Sequence, residues 1–209
     1  MRKLTVIVFL ATALVAQDGK KVDGHAWIDT FGTNGGAVLY PQYGWSAKTK
    51  IGGFSGYGFV EVAPHEKLFT NHLVIYTPSI RQFSVHSETG GIPRRSLGFF
   101  QIGPRINLHE VFPRLKKPLG YLFVTALPRF IGIRPNNLLV AAGTNKFRIA
   151  GTQWSAEGYR RFLPGGRPDY AEYWFLAHPK KTKPFSIGTF GMQSGDATYI
   201  GLGVRLNVF

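Results

Sequence analysis

The sequence predicts an all-β protein of antiparallel strands, and three observations carry that prediction. Short runs in which apolar and non-apolar residues alternate recur from residue 24 onward, which is the period of a strand with two unlike faces. Gly, Pro, Asn and Asp separate these runs, as turns require. With 26 glycines, 14% aromatics and 17% charged residues, the chain has none of the long Lys/Glu/Ala/Leu stretches of a helical protein.

Strands are expected near 24–33, 37–47, 52–62, 68–77, 81–88, 96–107, 119–131, 137–142, 146–156, 169–178, 184–192 and 197–208. That makes twelve, with ten the alternative. Turn chemistry sits in "TNGG" (33–36), "GTN" (143–145), "LPGGRPD" (163–169) and "QSGD" (193–196), segments rich in residues that accept positive φ or fix a bend. "NLHEVFPRLKKPLG" (107–120) has room for one short helical turn, confined by Pro113 and Pro118.

Alternation also assigns faces. In "GGFSGYGFVEV" (52–62), Ser55, Tyr57, Phe59 and Glu61 share one side, opposite Phe54, Gly56, Gly58, Val60 and Val62. Glycines among aromatics make room for neighbouring rings in a curved wall. In the last strand Ile200, Leu202, Val204, Leu206 and Val208 form an apolar face against Tyr199, Gly201, Gly203, Arg205 and Asn207.

The first residues read as an export signal. Arg2 and Lys3 precede an apolar run from Leu4 to Ala16 that ends in small residues, the layout of a secretory leader. Cleavage is expected after Ala16, with Ala13 the alternative, which divides the chain into a leader (1–16) and a β domain (17–209). Loss of Arg2 and Lys3 lowers the formal charge of +14 by two. There is no cysteine, which excludes disulfides, zinc–thiolate sites and cysteine nucleophiles. Beyond the leader the longest apolar segment, "LGYLFVTALPRFIGI" (119–133), is short for a spanning helix and carries Pro128 and Arg129. Entry into a membrane would therefore require a closed barrel, because lipid cannot satisfy an open sheet edge.

The leader, the strand series and the terminal "GVRLNVF" (203–209) together resemble a bacterial outer-membrane β-barrel protein. The C-terminal stretch is similar to the signature that the barrel-assembly machinery recognises, here carried by Val204, Leu206, Val208 and Phe209. In that signature the apolar residues lie two, four and six positions before the terminal aromatic. Here those positions hold Asn207, Arg205 and Gly203, and a bulge near the end would restore the phase. The resemblance implies an antiparallel up-and-down transmembrane β-barrel of 10–12 strands, twelve preferred, in the outer membrane of a Gram-negative bacterium. It also implies both termini on the periplasmic side and contact with outer-membrane lipid and lipopolysaccharide.

Basic residues cluster in "IPRR" (92–95), "PRLKKP" (113–118), "GYRRF" (158–162) and "HPKKTKP" (178–184). The first and third are expected at the outer end, making Arg94, Arg95, Arg160 and Arg161 candidates for lipopolysaccharide phosphates. Lys146, Arg148 and Arg205 would attract a small anionic solute if they face the lumen; solvated loop tips are the plain alternative. Nucleic acid is not an expected partner.

One row resembles catalytic chemistry. Ser84, His86 and Glu88 alternate within "FSVHSE" (83–88), aligning hydroxyl, imidazole and carboxylate, the groups of a serine hydrolase. Some outer-membrane lipid A deacylases are similar in using a serine and a histidine two apart on one strand, in the opposite order. Same-face residues lie about 6.6 Å apart along a strand, an awkward relay, and any wet lumen needs polar rows. The other histidines share no metal spacing, and "DTFGTNGG" (29–36) lacks the acidic pattern of a calcium loop. No metal or cofactor is expected. The leading expectation is a structural barrel or a channel for small solutes. The alternatives are a barrel enzyme hydrolysing lipid and a secreted soluble β-sandwich or barrel that binds a ligand.

Overall fold

The computed structural model describes residues 22–33, 36–63, 68–92, 97–164, 168–179, 185–194 and 197–207. The expected leader, its cleavage site, Arg94, Arg95, Val208 and Phe209 lie outside the described residues. The strands are β1 (Val22–Thr33), β2 (Gly36–Thr49), β3 (Gly52–Ala63), β4 (Leu68–Tyr76), β5 (Phe83–Ile92), β6 (Leu97–Asn107) and β7 (Leu119–Leu127). They continue as β8 (Arg129–Gly132), β9 (Asn137–Thr144), β10 (Phe147–Ile149), β11 (Thr152–Phe162), β12 (Pro168–His178), β13 (Phe185–Ser194) and β14 (Ala197–Asn207). A four-residue helix, α1 (Leu108–Val111), follows β6.

These stretches make twelve wall strands. β6 pairs with both β7 and β8, and β11 pairs with both β9 and β10. Each of those pairs is one interrupted strand. Every neighbour is antiparallel, and β1 pairs with β14 from Trp27↔Asn207 to Phe31↔Gly203, which closes the sheet into an up-and-down barrel.

The first interruption falls at Pro128, which has no N–H to give the ladder. Side chains patch the gap. Gln101 Nε2 donates to the Leu127 carbonyl at 3.1 Å and to that of Pro135 at 2.9 Å, and the Arg129 N–H donates to Asn136 Oδ1 at 2.6 Å.

The second interruption corrects the expected strand bounds. "GTN" (143–145) is not a turn, and 146–156 is not one strand. The chain instead runs on through Asn145 to Ile149 and reverses at Ala150–Gly151, whose φ values are 47° and 81°. Positive φ at both central residues is the geometry of a two-residue hairpin matched to strand twist. Asn145 uses its amide elsewhere, donating to the carbonyls of Lys116 and Lys117 at 3.1 and 3.0 Å. It ties down a neighbouring connection rather than making a bend.

The faces follow the alternation. Leu39, Tyr43, Val85, Ile102, Leu138, Phe175, Ile187, Ile200 and Leu202 are exposed on the outside, from strands around the whole ring, with Ile200 81% and Leu202 76% accessible. Asp29, Glu88, Gln101, Thr125 and Arg161 are buried inside. Apolar side chains thus cover the outer wall, and charged and polar side chains are buried inside alongside apolar ones. On β3 a Cβ at Gly58 would lie 2.5 Å from the Tyr43 ring and one at Gly56 2.9 Å from the Trp45 ring, so these glycines do make room for aromatics.

The interior is packed. One cluster joins Val38, Tyr40, Trp174, Leu176 and Phe190; a second joins Phe123, Leu127, Leu139 and Ala141. At the second cluster the Arg105 guanidinium lies 4.2 Å from the Tyr76 ring centre and 3.9 Å from that of Phe123. Cations lodged between ring faces fill space that water would otherwise occupy.

Candidate functional site

Packing inward-facing polar residues together gives the barrel interior its chemistry. On β5 the alternation turns Ser84, His86, Glu88 and Gly90 inward, and all four are buried. Glu88 is the centre of the largest charged group. Arg161 from β11 donates its NH2 group to both Glu88 oxygens at 2.8 Å, and Arg134 NH1 reaches Oε2 at 3.0 Å. His72 Nε2 lies 3.3 Å from Oε2, and His86 Nε2 lies 3.0 Å from Oε1. A carboxylate this deep is tolerable only with such partners.

The network extends through neutral groups. Arg161 NH1 donates to Asn137 Oδ1 at 3.2 Å, and Asn137 Nδ2 donates to Gln101 Oε1 at 3.1 Å. Above Glu88 lies a recess of about 300 Å³ bordered by Tyr40, His72, Arg134, Arg161 and Tyr170. Arg134 also stacks on Phe99, its guanidinium 4.0 Å from the ring centre.

The expected hydrolase row is present as a row but does not form a relay. Ser84 Oγ has no hydrogen-bond partner. His86 turns its Nδ1 to Thr125 Oγ1, 3.2 Å away on β7, and Glu88 is held by the two arginines. The spacing along one strand keeps serine from imidazole, while Thr125 on β7 takes up His86 Nδ1 and leaves Nε2 against Glu88 on β5 itself.

The anion candidates separate. Lys146 and Arg148 are exposed beside the Ala150–Gly151 hairpin, and only Arg205 lines the interior. Arg205 is already neutralised: Nε and NH2 donate to the two Asp29 oxygens at 2.7 and 2.9 Å, and NH2 lies 2.6 Å from Glu157 Oε1. Asp29 and Arg205 are direct cross-strand partners on β1 and β14. Gln42 Nε2 donates to Asp29 Oδ2 at 2.6 Å.

The lipopolysaccharide candidates also divide. Arg161 is 4% exposed and points inward, which removes it from any contact with lipid. Arg160, its chain neighbour, points outward, because adjacent strand residues face opposite ways. Of the assembly residues, Val204 and Leu206 lie on the outer face of β14.

Two arrangements lay beyond the reach of sequence reasoning. Glu172 accepts hydrogen bonds from Tyr159, Tyr170 and Trp174 at 3.0, 3.1 and 2.8 Å. His178 lies between two hydroxyls, its Nε2 2.8 Å from Ser155 Oγ and its Nδ1 2.8 Å from Ser186 Oγ. In a neutral ring one nitrogen accepts and the other donates, so this trio can pass a proton along three adjacent strands. Ser155 lies 23 positions before His178, and Ser186 eight positions after it on the next strand, a spacing that carries no local signature. Among the described residues no group of three or more His, Cys, Asp or Glu could hold a metal ion.

No family model, no curated protein and no solved structure matches this chain.

Proposed function

We propose that this protein is an outer-membrane β-barrel of a Gram-negative bacterium, exported by its leader and serving as a closed structural component of that membrane. The observation that carries the reading is the inversion of polarity: exposed apolar side chains encircle the outer wall, while the buried charges lie inside. A membrane barrel requires that pattern, and water does not favour it. Periplasmic termini agree with export, although the 108–118 connection lies at the same end as the termini, the reverse of the usual distribution of long loops.

The packed interior favours a structural role over an open anion channel. Arg205 has carboxylate partners on two strands, so it offers little charge to a passing anion. The test is fractionation of the full chain with outer membranes and heat-modifiable migration in detergent gels, followed by bilayer conductance. Recovery from the soluble periplasm would end the membrane reading. A steady open conductance by the unaltered protein would end the structural one.

The His178 trio favours a second reading, a lipid hydrolase: Ser155 attacks an ester carbonyl as His178 takes its proton, the C–O bond breaks with that proton passing to the departing alcohol, and water then hydrolyses the acyl-serine to release the acid. Ester hydrolysis that disappears in both Ser155→Ala and His178→Ala, with migration unchanged, would establish it. Hydrolysis equal to that of the unaltered protein would remove it.

A further inference from the structure

The outer wall is not uniformly convex. A shallow groove of about 680 Å³ runs across β9, β11, β12, β13 and β14 on the outside of the barrel. Its floor is made by small residues, Ala142, Ala156, Gly158 and Gly191, and its sides by Phe162 and Tyr173. The floor is small for a packing reason: a Cβ at Gly158 would lie 2.9 Å from the Tyr173 ring. A trough with an apolar lining, on a surface already apolar, is shaped for a flexible hydrocarbon chain.

Arg160 also borders this groove, two residues before the end of β11. Its guanidinium lies 5.3 Å from the centre of the Phe162 ring. Its Nε is buried and has no hydrogen-bond partner, and among the described residues no carboxylate pairs with it. Arg161, Arg134 and Arg205 each have an acidic partner, and Arg105, whose Nε is likewise unpartnered, lies on two ring faces inside the barrel; Arg160 alone of the five faces outward. A cation on a hydrocarbon-facing wall is costly unless an anion meets it. Among the described residues none supplies that anion, which leaves the guanidinium open to a lipid phosphate.

We propose that the groove and Arg160 together bind one molecule of lipopolysaccharide, an acyl chain along the small-residue floor and a phosphate on the guanidinium. Charge complementarity selects the headgroup: a phosphate accepts two hydrogen bonds from an arginine fork. Position selects the source. Arg160 lies toward the end of the barrel opposite the termini, where an exported barrel with periplasmic termini meets the outer leaflet. The inference rests on the outer-membrane reading.

The experiment uses the full chain purified from outer membranes, with bound lipid counted by native mass spectrometry after detergent exchange. Delipidated protein is then titrated in parallel with lipopolysaccharide, phosphatidylglycerol and phosphatidylcholine. One lipopolysaccharide should survive the exchange, and Arg160→Ala should weaken its binding about tenfold, the loss of a charge-assisted contact. Ala142→Leu and Ala156→Leu fill the floor and should weaken it as well, whereas Arg148→Ala, on the exposed hairpin at the other end, should not. Heat-modifiable migration identifies which variants are folded, and any one folded groove variant decides the question. Unchanged binding in the folded variants would overturn the proposal, as would equal affinity for phosphatidylglycerol. If the protein fractionates as soluble, the parent reading fails. If it fractionates with the membrane and the variants bind normally, only this site fails.

Discussion

Two charged groups inside the barrel solve different problems. The Glu88 group joins β5 to β11, strands separated by three others on the shorter way round the ring. It acts as a strut across the interior. The Asp29–Arg205 pair joins directly opposed residues of β1 and β14, the strands whose pairing closes the ring. There the charge sets register, because a slip of one residue would turn Arg205 toward the outer wall. The first group braces walls that the backbone does not connect; the second fixes which residues meet at the seam.

The largest effect should come from removing the strut. Glu88→Ala leaves Arg161 buried without its main partner and should cost about 3–5 kcal/mol, read as a lower urea midpoint for unfolding from lipid vesicles. Glu88→Gln should cost less, since it keeps the shape and part of the hydrogen bonding. A loss no larger for Glu88→Ala than for the seam variants would break the comparison.

If an interior arginine owes its tolerance to its partners, the same residue on the outer wall should be penalised. Leu202→Arg, midway along β14, should cost about 2–4 kcal/mol in a bilayer, measured by the same unfolding. In a water-soluble protein this exposed position would accept arginine almost freely. A neutral result would therefore count against the membrane.

Asp29→Asn should cost about 1–3 kcal/mol, below the strut because Glu157 still faces Arg205. The damage should be local, with amide exchange rising first along Trp27–Phe31. If protection there stays level with the rest of the barrel, the charge pair does not set the seam.

The smallest effect lies outside the wall. At the α1 connection Lys116 pairs with Glu110 and holds its carboxyl below the usual glutamate value. The pair's contribution should be present at neutral pH and fade as pH falls through that lowered value. Both groups are exposed, so salt should screen it. Lys116→Ala should raise the Glu110 midpoint in an NMR titration, with no change in the midpoint of global unfolding.

Much of the wall was legible because a strand writes its faces into the sequence every second residue. The two faces of 52–62 and, over Ile200–Leu206, of β14 were read correctly on that ground. The interruption at Asn145 was not, since an asparagine after glycine and threonine looks like a turn. The real hairpin uses Ala150, which lacks the usual glycine or asparagine signature for positive φ. Ser84, His86 and Glu88 were legible as an inward row, but their partners were not. Arg161 lies 73 positions from Glu88, and only closure of the ring brings them together. Arg160 and Arg161 carried a usable signal: adjacent residues on a strand cannot face the same side.

The pairing of β1 with β14 also bears on how the molecule is made. Until the last strand is synthesised and docked, the sheet has two raw edges, each a template for pairing with another chain. Half-made barrels are thus exposed to aggregation until that strand docks. The contact of His72 with Glu88 needs only the pairing of β4 with β5, whereas Asp29 and Arg205 can meet only in the final zipping step.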